Sequence, residues 1–143
     1  MFDVLDRLQA CAIEVDRIVD AGMALYVPHG IDAEAAAPLL RNRILRALED
    51  PNISTLIVCA ILMEEEMRRC ENACARSDPV FLLADEIIGM AIAEYLGGTR
   101  ARFEFTRYDQ KKPGIIRELG PFLDDAVAGL IAGCTSRLYS ECV

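Results

Sequence analysis

Apolar residues recur three and four apart along most of the 143-residue chain, and that period predicts helices. Between Phe2 and about Ala24 the stripe is Val4, Leu5, Leu8, Cys11, Ala12, Val15, Ile18 and Val19. It reads as one amphipathic helix, ended by Tyr26-Val27-Pro28-His29-Gly30. Asp32 is the expected N-cap of a second helix. Pro38 either kinks that helix or moves its start to Ala37, and Leu39, Leu40, Ile44, Leu45 and Leu48 form its apolar face up to Asp50-Pro51. A third helix is expected from Ile53 to Ala75. Its first half, Leu56 to Leu62, is apolar all round, as in a helix buried on every side. Its second half is charged, with Glu64, Glu65, Glu66, Arg68, Arg69 and Glu71; Glu64 to Glu66 read as a solvated face rather than ligands, from which Glu65 or Glu66 could turn inward. A strand over Thr55 to Ile61 competes, but no second strand-like run lies nearby to pair with it.

Ser77-Asp78-Pro79 opens a fourth helix, with proline in the first turn where its missing N–H does no harm. That helix carries Leu82, Leu83, Ile87, Ile88, Ala91, Ile92 and Leu96 and stops at Gly97-Gly98. The polar stretch Thr99 to Lys112 is the one place where irregular backbone of any length is expected. Pro113 to Leu119 predicts a short helix, Gly120 breaks it, and Pro121 starts a last helix to about Tyr139. The expectation is an all-α protein: one domain over residues 1–143, about six helices around the apolar third.

Charge narrows the function classes. With 23 Asp and Glu against 15 Lys and Arg, the net charge of −8 disfavours general binding to nucleic acid or to an anionic membrane surface. The longest apolar run, Leu56 to Met63, falls well short of the roughly 20 residues of a membrane span. Asp3 and Asp6 stand where a signal peptide would be basic, so a cytoplasmic protein is expected. The six cysteines form no Cys-x-x-Cys pair and read as buried free thiols. Cys70 and Cys74 would share a helical face, but His29, the only histidine, is far off in sequence and reads as a loop residue. So apolar a helical chain is also expected to bury a face in a homodimer.

The chemistry lies in two acidic doublets inside apolar strings, Asp85-Glu86 and Asp124-Asp125. Neighbouring helical residues point about 100° apart, so in each pair at least one carboxylate falls on or beside the buried face. A buried carboxylate must be protonated, paired or bound to a metal, and two such pairs on different helices suit a hard divalent ion. Gly89 follows Asp85 by four residues and Gly129 follows Asp125 by four, so each glycine shares a face with an acid and would let helices approach or leave room for a substrate. Between the doublets lies Arg107-Tyr108-Asp109-Gln110-Lys111-Lys112-Pro113-Gly114, whose cations beside a metal would suit a phosphate.

Asp85-Glu86-Ile87-Ile88-Gly89, then Phe105 and Asp109 leading to Lys112-Pro113, then Asp124-Asp125 with Ala128-Gly129, resemble the ordered motifs of the phosphatidylglycerophosphatase A family. The resemblance covers about residues 80–140. It implies an all-helical, Mg²⁺-dependent phosphomonoesterase, with Mn²⁺ as a substitute ion. On that alignment the family's arginine falls on Thr106, with Arg107 one place late. The chain is more similar to the soluble branch, which includes the α-ribazole phosphatase of cobalamin nucleotide-loop assembly. The expected roles are a metal held by Asp85, Glu86, Asp124 and Asp125, phosphate bound by Lys112, Arg107 and Lys111, and catalysis by Asp125, Asp109 and Lys112. The expected partner is a small phosphomonoester, α-ribazole 5′-phosphate. Phosphatidylglycerophosphate, or a non-catalytic helical module, is the alternative.

Overall fold

A computed structural model describes residues 3–70 and 81–141. The order is α1 Val4–Ala10, α2 Val15–Ala24, α3 Ala33–Glu49, α4 Pro51–Arg69, α5 Ala84–Gly97 and α6 Thr99–Lys111. A 3₁₀ turn over Gly114–Glu118 then leads to α7, Pro121–Glu141. The described residues contain no strand, so the expected all-α class holds. The expected opening of a helix at Ser77-Asp78-Pro79, and Cys74 and Cys142, lie outside the described residues. The third expected helix does not run to Ala75: it starts at Pro51 and ends at Arg69, where Cys70 takes extended backbone, and Leu82 and Leu83 precede α5 rather than belong to it.

A buried helix does sit at the centre, but it is the last and not the third. From Pro121 to Ser136 every residue of α7 is buried, and α2, α3, α4, α5 and α6 all pack on it. The apolar α4 is one-sided instead. Ile53, Ile57, Ala60, Ile61 and Glu64 face inward, while Cys59, Leu62 and Met63 are exposed. Small residues decide the centre: Ala126, Ala128, Gly129, Ala132 and Gly133 let several helices crowd around α7 at once, which the bulkier Leu and Ile of α4 do not allow.

The first expected helix is two. Ala12 takes a left-handed conformation with φ +60°. The N–H of Ile13 donates to the Leu8 carbonyl at 2.9 Å and that of Ala12 to the Gln9 carbonyl at 2.8 Å. This is the paired closure normally made with glycine. Ile13 thereby turns into the core beside Leu8, each 1% exposed. Asp32 caps α3 as expected, accepting from the Ala35 N–H at 2.8 Å, and the helix runs on through Pro38.

Residues 99–111, expected to be irregular, form α6. Gly98, at φ +72°, turns the chain out of α5, and Ala101, Phe105 and Tyr108 then bury one narrow stripe. The Tyr108 hydroxyl donates to the Gly22 carbonyl at 2.7 Å, tying α6 to α2. The thiols are not uniformly buried either: Cys134 is buried, Cys11 and Cys70 are partly so, and Cys59 is exposed.

Candidate active site

α5 and α7 run parallel in close contact. Gly89 lies against the Asp125 carbonyl and Gly129 against the Gly89 carbonyl, while further along Gly97 approaches Gly133 and Ser136. A Cβ on Gly89 would come within 2.6 Å of the Asp125 carbonyl oxygen and of the Phe105 ring. Each acid stands one turn before its glycine, so the contact that draws the helices together sets Asp85 and Asp125 at the same end of the pair. Both are buried, at 2% and 3% exposure.

The third contributor is the end of α6. Lys112 closes that helix in a left-handed conformation, φ +45°, its N–H on the Tyr108 carbonyl at 2.8 Å. Its ammonium donates to Asp124 Oδ2 at 2.6 Å and to Asp109 Oδ1 at 3.3 Å. Burial works against that charge. The hydrogen bond and charge of Asp124, then Asp109, outweigh it and hold the Lys112 pKa above its usual value.

Asp125 shows the charge balance of the cluster. Burial first, then the charges of Asp124, Asp109 and Asp85 and a hydrogen bond with Asp109, push its carboxyl up to about 9. Three aspartates from three helices thus act on Asp125, Lys112 pairs with two of them, and the surplus negative charge favours a proton on Asp125. Without other positive charge, Asp125 binds a proton that the unfolded chain releases near 3.8. Stability through this group is therefore present at low pH and lost as pH rises toward 9. The metal-free protein should melt at a lower temperature at pH 9 than at pH 6, and 10 mM Mg²⁺ should narrow that gap. Thermal scans at the two pH values check this.

Oxygen donors in negative surplus are the chemistry a hard divalent ion selects. Among the described residues, no three acidic, thiol or imidazole side chains close around one point as a finished ligand shell. Asp124 turns to the Lys112 ammonium, and Asp125 shares a hydrogen bond with Asp109.

A family model described as phosphatidylglycerophosphatase A matches residues 16–140. The chain belongs to the phosphatidylglycerophosphatase A family. The match takes in α2, α3 and α4 as well as the motif-bearing stretch. The uncharacterized protein MJ1330 of Methanocaldococcus jannaschii is 44% identical over 127 residues, covering 85% of this chain and 99% of that one. Two crystal structures share the fold. The low temperature requirement C protein of Listeria monocytogenes has a TM-score of 0.81 and 21% identity over 96% of this chain and 93% of that one. Protein ypjQ of Bacillus subtilis has a TM-score of 0.80 and 20% identity over 96% and 91%.

Within this phosphatidylglycerophosphatase A fold, the expected site residues divide. Asp85, Asp109, Lys112, Asp124 and Asp125 come together. Glu86 is half-buried, round the helix from Asp85, and Asp109 lies among the groups acting on Asp125. Arg107 turns elsewhere: it pairs with Glu104 at 2.9 Å and donates to the Leu25 carbonyl at 2.8 Å. Lys111 is exposed on the last turn of α6. The sequence reading missed Glu64, which is 5% exposed and no part of a solvated face. Its Oε1 accepts the N–H groups of Phe122 and Leu123, each at 2.9 Å, and so caps α7 from another helix. The register gave a signal, because Ile53, Ile57, Ile61 and Glu64 fall on one face. A cleft of about 700 Å³ opens beside Glu64, lined also by Cys11, Arg68 and Leu123 but by none of the four aspartates.

Proposed function

We propose that the chain is a Mg²⁺-dependent phosphomonoesterase. The observation that carries this reading is the convergence of Asp85, Asp109 and Asp124 on Asp125, with Lys112 paired to Asp109 and Asp124, in a fold of the phosphatidylglycerophosphatase A family. Asp85, Asp124 and Asp125 would hold the ion, with Glu86 at the rim. Bound there, Mg²⁺ supplies charge to the phosphoryl oxygens and a more acidic water. Lys112 contacts a phosphoryl oxygen and offsets charge that develops during transfer. Asp109 orients Lys112 and accepts the proton of the attacking water. A water oxygen–phosphorus bond forms as the ester oxygen–phosphorus bond breaks, and the departing alcohol takes a proton from solvent.

For the substrate we propose α-ribazole 5′-phosphate. Its support is that no helix among the described residues is long and apolar enough to cross a membrane. The family description supports a second reading, phosphatidylglycerophosphate. A cytoplasmic location and a homodimer belong to the same proposal. The test is phosphate release with Mg²⁺ from each compound, the lipid presented in mixed micelles. Release from α-ribazole 5′-phosphate at least tenfold faster than from the lipid is expected. The reverse order assigns the lipid, and no release from either makes the chain a non-catalytic module.

A further inference from the structure

Positive charge gathers at the other end of the α5–α7 pair. On a chain of net charge −8, Arg43 and Arg46 of α3 and Arg137 of α7 line one surface cleft of about 540 Å³. Its one acidic lining residue, Asp50, is already committed. Oδ1 accepts the N–H groups of Asn52 and Ile53, and Oδ2 accepts the Tyr95 hydroxyl at 3.0 Å. Arg43 pairs with Glu141 at the cleft's edge. Arg137 is anchored through Nε on the Leu96 carbonyl at 2.8 Å, and among the described residues its two terminal amino groups have no hydrogen-bond or ion-pair partner. Among the described residues, Arg46 has no hydrogen-bond or ion-pair partner. The cleft beside Glu64 differs, since its lining sets Arg7 and Arg68 against Glu64, Glu65 and Glu118.

Guanidinium groups sharing a cleft repel one another, and an anion bridging them removes that repulsion. Their forked N–H groups match the several oxygens of a phosphate better than a point charge does. The same lining offers Leu39, Leu96 and the half-exposed ring of Tyr95 as apolar surface, in a volume that takes a small organic molecule. We propose that this cleft is a second ligand site, for a small organic phosphate whose anionic group meets Arg46 and Arg137 and whose ring lies on Tyr95. It is distinct from the aspartate cluster: Arg137 is twelve residues beyond Asp125 on α7, about 18 Å at the helical rise. It stands whether or not the phosphatase reading does.

The probe is adenosine 5′-monophosphate, titrated by calorimetry into the protein in EDTA at low ionic strength. The wild type and Lys112→Ala should bind it alike. Arg46→Gln with Arg137→Gln should weaken binding at least tenfold, leaving the ligand-free melting temperature and Mg²⁺-dependent phosphate release unchanged. Should the double variant melt early, Arg46→Gln alone, at an exposed position, carries the same test with at least a threefold loss. No binding by the wild type overturns the proposal. So does binding that survives the arginine changes, or that disappears with Lys112.

Discussion

Asp125→Asn should reduce Mg²⁺-dependent phosphate release by about 10²- to 10⁴-fold, the range that follows loss of a positioned acid–base or charge-bearing group. It should do so without harming the fold. Asp125 is buried among Asp124, Asp109 and Asp85, and its carboxyl is held near 9, so at pH 7 without metal it is already neutral, as an amide is. In EDTA at pH 9, where wild-type Asp125 begins to ionise, the variant should melt at the higher temperature. Activity and stability therefore move in opposite directions. A residue buried only for packing would lose both together. Steady-state phosphate release and thermal scans on one preparation read the two effects.

Gly129→Ala should have the largest effect on stability, about 3 kcal/mol or more, the upper part of the range for overpacking. The added methyl group runs into the Gly89 carbonyl, a backbone atom of the facing helix, so no rotamer change relieves it. α5 and α7 must separate, and α7 carries the core. Separation also moves Asp85 away from Asp125, so residual activity should fall further than the folded fraction does. Ala91→Ser, on the exposed side of α5, is the control and should change stability by less than about 0.5 kcal/mol. Denaturant titration of the two variants checks this. A Gly129→Ala midpoint at the wild-type value would mean that the helices do not meet there.

Much of the site was legible because burial and charge conflict openly in it. Asp85 and Asp125 stand in apolar strings, each with a glycine four residues on, and a helical face that holds both an acid and a gap has few uses. The doublets did not say which neighbour turns inward, because register depends on what packs opposite. Hence Asp109, from α6, joins the cluster while Glu86 stays half-buried. Glu64 was hidden in a run with Glu65 and Glu66: the run read as a solvated face from which Glu65 or Glu66 could turn inward, whereas those two are exposed and Glu64 is buried. Its role depends on the bare start of α7, sixty residues away in sequence.

The fold errors have the same origin. Ala12 in a left-handed conformation carries no glycine to mark the break between α1 and α2. The buried stripe of α6 is only Ala101, Phe105 and Tyr108, too thin to stand out among charged neighbours. The helix with the most apolar run, α4, was taken for the centre. Close approach from all sides needs small residues, and those belong to α7.

The most direct test of the aspartate cluster as a cation site is Mn²⁺ titration, followed by electron paramagnetic resonance of the free ion. Wild-type protein should take up Mn²⁺ with release of a proton, displaced competitively by Mg²⁺, and Asp85→Asn and Asp125→Asn should each weaken uptake at least tenfold. Uptake that is unchanged in both variants, or absent from the wild type, would contradict the account.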